Sequence, residues 1–356
     1  MAVTVSVQWH VCLSKILKSC NMSNSRNAGT TISILTIVYN GMPYLRECVE
    51  SVLAQSHQDW EMLISDDGSN DGSRDYLRSL SDPRIFYYEQ EKNLGIFGNL
   101  NFLFEKARAP ITQILCQDDY FTGRDSLDIL DAYWKEAAST TGLVRFNHHP
   151  SGNNELLVYQ DRVLPSVIPS SSADLCFYIF GNICGNLSNV SLRTALVKDS
   201  GYFSQAMPYA GDFEFWNRAA RTVDVGLDKR TITHIRRHAG VASNYLNKKG
   251  ELVRQKRILY NMLYERLVKQ FPDAATALRD HGSFVFLLEL DIAVKLRLKG
   301  NKVYLRNVLD ESRQALFSVK GPALWTRFLT SAGGRKGRVS TARKLLSITK
   351  HNYEGS

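Results

Sequence analysis

The chain has little of what marks a secreted scaffold or a membrane-spanning protein. Its six cysteines (Cys12, Cys20, Cys48, Cys116, Cys176, Cys184) lie scattered over 356 residues without a CxxC or zinc-ligand spacing. A disulfide framework is excluded on that pattern, and reduced thiols in a cytosolic protein are expected. Cys48 and Cys116 sit in apolar runs, where a thiol packs as a small hydrophobe. Long apolar runs are missing as well. The best candidate, Phe284 to Leu298, is interrupted by Glu289, Asp291, Lys295 and Arg297, whereas a bilayer span needs roughly 20 consecutive apolar residues. Val3 to Leu13 is apolar, but its lysines follow the run instead of preceding it, the wrong order for a secretory signal. Residues 1–30 are therefore expected to be a disordered or mis-started arm, and the location is expected to be cytoplasmic.

Acid is absent from one end of the chain and nearly absent from the other. Residues 1–30 carry Lys15, Lys18 and Arg26 and no acid; residues 321–356 carry seven Lys/Arg against Glu354 alone. The 34 basic and 34 acidic residues between them cancel, so the net charge of +9 belongs to the two ends. A nucleic-acid enzyme concentrates its cations in the working groove, and the neutral body argues against nucleic acid as a partner. Phosphate-loop, dinucleotide-turn, nucleophile-elbow and HExxH signatures are also missing, which removes several common enzyme classes.

What is present is an alternation of strand and helix. Ile32 to Val38 is rich in β-branched residues and reads as a buried strand ending at the turn Tyr39-Asn40-Gly41. Leu45, Cys48, Val49, Val52 and Leu53 follow at helical spacing. Further strands are expected at Trp60 to Ile64, Arg84 to Tyr88 and Ile111 to Cys116, with helices from Ser73 and from Phe97 to Ala107. Four such alternations predict an α/β fold with a mostly parallel sheet and flanking helices. Ligands are then expected beyond the carboxyl ends of the strands. Residues 150–175, rich in Pro, Ser, Asn and Gly, are expected to form a mobile loop. From Glu251 the pattern is helical, with breaks at Gly300, Gly321-Pro322 and Gly333-Gly334.

Three groups of carboxylates stand at element ends. Asp66-Asp67-Gly68-Ser69 closes the second strand and also has the composition of a plain turn. Asp118 and Asp119 follow the fourth strand directly. Adjacent carboxylates repel unless donors or a cation neutralise them, and Mg²⁺ is commonly held by one or two carboxylates plus phosphate oxygens. Asp212 and Glu214 open a segment containing Phe213, Phe215 and Trp216. Beside aromatic surface such a carboxylate is either a helix cap or a general base with a raised pKa. His238, after Arg236-Arg237, suits either phosphate or metal contact or a solvated strand end.

The order of these motifs, Ile34 to Asn40, Asp66-Asp67-Gly68-Ser69, Asn93-Leu94-Gly95, Asp118-Asp119 and Gly211-Asp212, resembles the family 2 glycosyltransferases over about Thr31 to Ser243. The resemblance implies a GT-A fold for residues 31–245, with 246–356 as a helical C-terminal region ending in a basic tail. It implies an inverting enzyme that moves one sugar from a nucleoside-diphosphate sugar, with a UDP-sugar as first choice, to a hydroxyl of a glycan or lipid-linked acceptor in cell-surface polysaccharide synthesis. By the same likeness Tyr39 stacks on the base, Asp67 hydrogen-bonds it, Asp66 shapes that loop and Asn93 joins the nucleotide-sugar site. Asp118 contacts the donor, Asp118 and Asp119 hold Mn²⁺ or Mg²⁺, Arg236 and His238 close over the diphosphate, and Asp212 is the catalytic base. Cys116 departs from the family's frequent Asp-x-Asp-Asp, standing where its first aspartate would be. Two other readings compete. A nucleotidyltransferase would carry a basic, Gly-rich loop after its first strand, which Tyr39-Asn40-Gly41-Met42-Pro43 lacks; a non-catalytic nucleotide-sugar scaffold would have no need of Asp118, Asp119 and Asp212 together. Trp325, Phe328 and Leu329 beside the basic tail suit peripheral contact with an anionic membrane, with a solvated tail as the plain alternative.

Overall fold

The structure, a computed structural model, describes residues 31–149, 160–238, 251–319 and 321–353; the expected arm at 1–30 lies outside them. Strand β1 (Ile32–Val38) is almost wholly buried. Its side chains alternate: Ile32, Ile34 and Val38 enter the core on one face, and Leu35 enters the core on the other. The next strand, β2 (Trp60–Asp66), divides the same way, with Met62 and Ile64 opposite Leu63. Such two-faced burial is what a sheet covered by helices on both sides requires. Between the two strands, α1 (Tyr44–Leu53) buries Leu45, Cys48, Val49 and Val52. The chain continues through α2 (Ser73–Arg78), β3 (Ile85–Glu89), α3 (Gly95–Lys106) and β4 (Ile111–Ile114). All pairings among β1 to β4 are parallel.

Beyond β4 the sheet becomes mixed. The following elements are β5 (Tyr120–Phe121), α4 (Ser126–Glu136), β6 (Thr141–His149), β7 (Val167–Ile168), α5 (Ser170–Phe180), β8 (Val190–Arg193), α6 (Ala195–Asp199), α7 (Gly211–Ala219) and β9 (Asp224–His234). The sheet order is β3-β2-β1-β4-β8-β6-β9-β5, with β7 against β9. β8 runs antiparallel to both β4 and β6, because α5 carries the chain from the start of β9 back to the carboxyl edge, where the turn at 181–189 leads into β8. β6 and β9 are parallel to each other. The carboxyl ends of β1, β2, β4, β6 and β9 and the start of β8 therefore share one edge. Part of the expected loop is also ordered differently: residues 170–175 belong to α5, whose Ala173 and Leu175 are buried, while 150–159 lie outside the described residues.

The C-terminal helices are α8 (Glu251–Gln270), α9 (Ala275–Leu298), α10 (Lys302–Gln314), α11 (Pro322–Thr330) and α12 (Arg335–Tyr353). One apolar core runs from Leu35 through α5 and α7 to Leu345. Within it Phe177 stacks on Phe213 at 5.7 Å, Phe213 meets Tyr260 edge-on at 6.1 Å and Tyr260 meets Phe317 at 6.5 Å. The basic tail is thus not a solvated extension: Ala342 and Leu345 are buried in the common core, and Arg338 donates to the Ile179 carbonyl at 3.0 Å. His281, fully buried between α5 and α12, is pushed down to about 3 by burial and then by Arg338; it is neutral and meets the same Ile179 carbonyl through Nε2 at 3.1 Å. Among the described residues no helix is long and apolar enough to cross a membrane.

The docking of α12 depends on close approach. A Cβ at Gly337 would lie 2.3 Å from the Phe284 ring. Gly337→Ala is expected to lower stability by about 1–3 kcal/mol through overpacking, whereas Lys336→Ala, on the exposed face of the same helix, should stay within about 0.5 kcal/mol of the parent. Denaturant midpoints of the two variants check this.

Candidate active site

The carboxyl edge is assembled from backbone turns that polar side chains stitch together. After β1 the chain passes Tyr39, whose ring is 55% exposed at the rim. Its peptide is clamped by Gln117, which accepts from the Tyr39 N–H at 2.8 Å and donates to the Tyr39 carbonyl at 3.1 Å. Gly41 leaves room for this clamp, since a Cβ would meet Gln117 Oε1 at 2.6 Å and push the amide off the Tyr39 peptide. The same turn is sewn to the loop after β2: Asn40 N–H donates to Ser69 Oγ at 2.8 Å, Gly41 N–H to Ser73 Oγ at 3.0 Å and Met42 N–H to Asp71 Oδ2 at 2.8 Å.

Asp66 is fully buried at the end of β2. Burial alone would raise its pKa, but donation from Ser69, the Arg74 guanidinium and the Gly68 N–H outweighs burial and holds it below the ordinary carboxylate range. Asp67 spends both carboxylate oxygens on the loop before α3: Oδ1 accepts from Leu94 N–H at 2.6 Å and Oδ2 from Gly95 N–H at 3.0 Å. Asn93 completes the clasp by donating to the Asp67 carbonyl at 3.2 Å. Asp66, Asp67 and Asn93 are thus together, and the loop geometry rests on them.

Asp118 and Asp119 part company. Asp119 is buried; its Oδ2 accepts from Ser188 Oγ at 2.6 Å and its Oδ1 from Arg236 N–H at 3.0 Å. Burial, with the neighbouring Asp118 charge, pushes Asp119 up to about 7. Asp118 is partly exposed, with Oδ2 at 3.1 Å from His238 Nε2. Arg236 is held beneath them: it donates to the Asp118 carbonyl at 2.7 Å, pairs with Glu47, and lies 4.6 Å from the Tyr120 ring centroid. Its guanidinium is therefore committed to the floor of the site, and exposed Arg237 is the cation beside it. His238 stacks on Tyr44 at 4.6 Å. Among the described residues no three His, Cys, Asp or Glu side chains form a set that would hold a metal unaided. Asp118 and His238 supply one oxygen and one nitrogen, a donor pair that suits an ion completed by phosphate oxygens. Cys116, beneath this turn, is raised well above the ordinary thiol range by burial and then by Asp119 and Asp118, so it adds no thiolate.

Asp212 stands in the first turn of α7, partly buried, on the helix whose Phe213, Phe215 and Trp216 are buried. Its Oδ2 accepts from Asn182 Nδ2 at 2.9 Å, and Asn182 also donates to the Gly185 carbonyl at 3.0 Å. Desolvation pushes Asp212 up to about 6, although donation from Phe213 N–H and Asn182 works the other way. Gly211 is obligatory for this approach, since a Cβ would lie 2.6 Å from the Phe97 ring. Asn182, Ser188, Gln117 and Arg74 escaped the sequence reading as site residues. Asn182 and Ser188 lie in Gly181 to Asn189, a stretch conspicuous for its polar and glycine content but without a motif.

Residues 33–174 match the model of Glycosyl transferase family 2. The chain carries a family 2 glycosyltransferase domain. The matched range contains Tyr39, Asp66, Asp67, Asn93, Asp118 and Asp119, whereas Asp212 and His238 lie beyond it. A putative teichuronic acid biosynthesis glycosyltransferase, TuaG of Bacillus subtilis, is 32% identical over 151 residues, covering 38% of this chain and 58% of TuaG. The Escherichia coli UDP-Glc:alpha-D-GlcNAc-diphosphoundecaprenol beta-1,3-glucosyltransferase WfaP is 26% identical over 257 residues, 70% of this chain and 95% of WfaP. The chain spans less than two thirds of the length of several curated relatives, 36% in the case of an uncharacterized Rickettsia conorii glycosyltransferase. Among solved structures, S. aureus TarS 1-349 in complex with UDP-GlcNAc aligns with a TM-score of 0.56 at 15% identity, covering 91% of this chain and 92% of TarS 1-349. The mannosyltransferase PcManGT of Pyrobaculum calidifontis, in complex with GDP-Man and Mn²⁺, aligns with a TM-score of 0.52 at 15% identity, covering 92% and 88%. These likenesses show that the glycosyltransferase domain has the GT-A fold.

The Asp67 clasp yields a test without ligand. Asp67→Asn replaces one acceptor by an amide facing a backbone N–H, and is expected to cost about 1–3 kcal/mol. A denaturant midpoint unchanged from the parent would show that Asp67 is not needed to hold the 93–95 turn.

Proposed function

We propose that the protein is an inverting, metal-dependent glycosyltransferase acting on a nucleoside-diphosphate sugar and a glycan or lipid-linked hydroxyl in polysaccharide synthesis. One observation carries the reading: the Asp118–His238 pair and the Asp212 carboxylate, raised to about 6, stand at the working edge of a GT-A sheet. In this reading Tyr39 offers its exposed ring to the base, and the loop held by Asp66, Asp67 and Asn93 fixes where the base sits. Asp118 and His238 hold Mn²⁺ or Mg²⁺, while buried Asp119 orients the turn that carries Asp118. When bound, the ion supplies positive charge against the charge developing on the leaving diphosphate. Arg237 adds a second cation at the same edge.

Asp212 takes the proton of the acceptor hydroxyl as its oxygen bonds to the anomeric carbon. The carbon–oxygen bond to the diphosphate breaks from the opposite face, its electron pair leaves with the nucleoside diphosphate, and the configuration inverts. Asp212 then returns the proton to solvent. A raised carboxylate is a stronger base than an ordinary one yet is still ionised at neutral pH. TarS with UDP-GlcNAc and PcManGT with GDP-Man and Mn²⁺ support the donor and cofactor classes, and a UDP-sugar remains the first choice. WfaP, a glucosyltransferase from UDP-Glc to alpha-D-GlcNAc-diphosphoundecaprenol, supports a lipid-linked acceptor. A cytoplasmic enzyme working at the membrane face is the setting such an acceptor requires.

Asp212→Asn is expected to retain donor binding and to lose transfer by at least 100-fold, within the usual range of roughly 10²–10⁴ for general base catalysis. For the parent, kcat/KM should fall as pH drops through about 6 because the base becomes protonated; the variant should lack that limb. Thermal stability measured with UDP or GDP, with Mn²⁺ or with EDTA, tests the donor side: a shift with one diphosphate that EDTA abolishes is expected. Donor binding without transfer by the parent chain, given varied acceptors, would leave a nucleotide-sugar scaffold instead.

A further inference from the structure

Helices α11 and α12 flank the same stretch of α9. Arg327 of α11 donates to Ser283 Oγ at 2.9 Å and to Asp280 Oδ1 at 2.8 Å, and its guanidinium lies 5.5 Å from the Phe284 ring centroid. On the α12 side, Gly337 approaches the same Phe284 ring, and Gly333 approaches Asp291. The two helices are neighbours, and each turns an outer face to solvent. On α11 no residue is buried, and Trp325 and Leu329, one turn apart, are 44% and 75% exposed. On α12 the inner positions Ala342 and Leu345 are buried, while Lys336, Val339 and Arg343 are exposed at spacings that place them on one face, with exposed Arg335 and Lys344 at its two edges. Residues 321–353 contain no acid. The cations of the inner side are spent within the fold: Arg327 on Asp280, Arg338 on the Ile179 carbonyl; Arg335 pairs with Asp291 from the rim. Lys336, Arg343 and Lys344 have no ion pair among the described residues.

We infer that the outer faces of α11 and α12 form a docking surface for an anionic lipid bilayer. Trp and Leu side chains stand ready for the headgroup boundary beside cations for the lipid phosphates, the arrangement an interfacial helix uses. A nucleic acid would be drawn by the cations but has no use for an exposed Leu329. The position of the surface gives the contact a purpose. Arg338 and His281 both meet the Ile179 carbonyl, two residues before Gly181 and three before the Asn182 that holds Asp212. Arg338 thereby ties α12 to the loop that holds Asp212, and docking through α11 and α12 would keep that loop beside an acceptor carried on a membrane lipid. This inference rests on the transferase reading only for its purpose; the docking itself stands apart.

The test is sedimentation of the full chain with vesicles of phosphatidylcholine, with and without phosphatidylglycerol, in the absence of any donor sugar. Binding is expected only with phosphatidylglycerol and should fall as salt rises. The variant K336A/R343A/K344A should bind about fivefold more weakly for each cation removed, on the order of 100-fold in all. W325A/L329A should also weaken binding, and both variants should keep the parent's thermal midpoint and its transfer to a detergent-dispersed acceptor. Equal binding to neutral vesicles, or an unaltered affinity of the triple variant, overturns the proposal. So does a DNA oligonucleotide that binds the parent more tightly than the anionic vesicles do. Asp212→Asn that sediments normally but transfers nothing separates a failure of docking from a failure of catalysis.

Discussion

A single buried carboxylate organises the working edge. Asp119 accepts from the Ser188 hydroxyl and from the Arg236 backbone N–H, tying the end of β4 to the approach of β8 and to the end of β9. Those segments are far apart in the chain and run in different directions in the sheet. Together with the pairing of β5 on β9 and the Arg236 guanidinium on the Asp118 carbonyl, this shared acceptor sets the turn bearing Asp118 against the strand end bearing His238, 3.1 Å apart. The arrangement carries a cost, seen in the pKa of about 7 that burial and the Asp118 charge impose on Asp119. Three of the groups that ease it, Ser188, the Arg236 amide and the Arg236 guanidinium, come from segments that the carboxylate itself positions.

This explains which parts of the molecule were legible in the sequence. β1 to β4 announce themselves because each is a short β-branched or aromatic run between turn residues, and the helices between them carry apolar stripes. The sheet beyond β4 is written in long-range pairings, and neither the reversal at β8 nor the start of α5 at Ser170 has a local signature. The Pro and Ser content before Leu175 resembles a loop, and packing of Ala173 and Leu175 overrides it. Site residues followed the same division. Carboxylates at strand ends are visible because acid at such places needs an explanation. Asn182, Ser188 and Gln117 are not, since a neutral amide or hydroxyl acquires meaning only from the partner it faces.

The two halves of the site also differ in how they are supported. The side that holds Tyr39, Asp67 and Asn93 is braced by local turns, all within about the first third of the chain and inside the range of the family match. The side that holds Asp212 is braced from afar, by an aromatic run through Phe177, Phe213, Tyr260 and Phe317 and by α12. Family resemblance is therefore strongest where the polypeptide supports itself locally. It fades where support is drawn from the C-terminal helices.

The Ile179 carbonyl gives this dependence a direction in time. It stands at the end of α5, and it is satisfied by His281 and Arg338, which leave the ribosome about 100 and 160 residues after it. A nascent chain can complete β1 to β4 and the loops around them early. The turn that aims Asp212 gains its last brace only when α12 has been made and has wrapped back over α9. Completion of the turn that holds Asp212 is in this sense a late event of synthesis, and a truncated translation product would hold a finished Asp67 clasp without that distant brace.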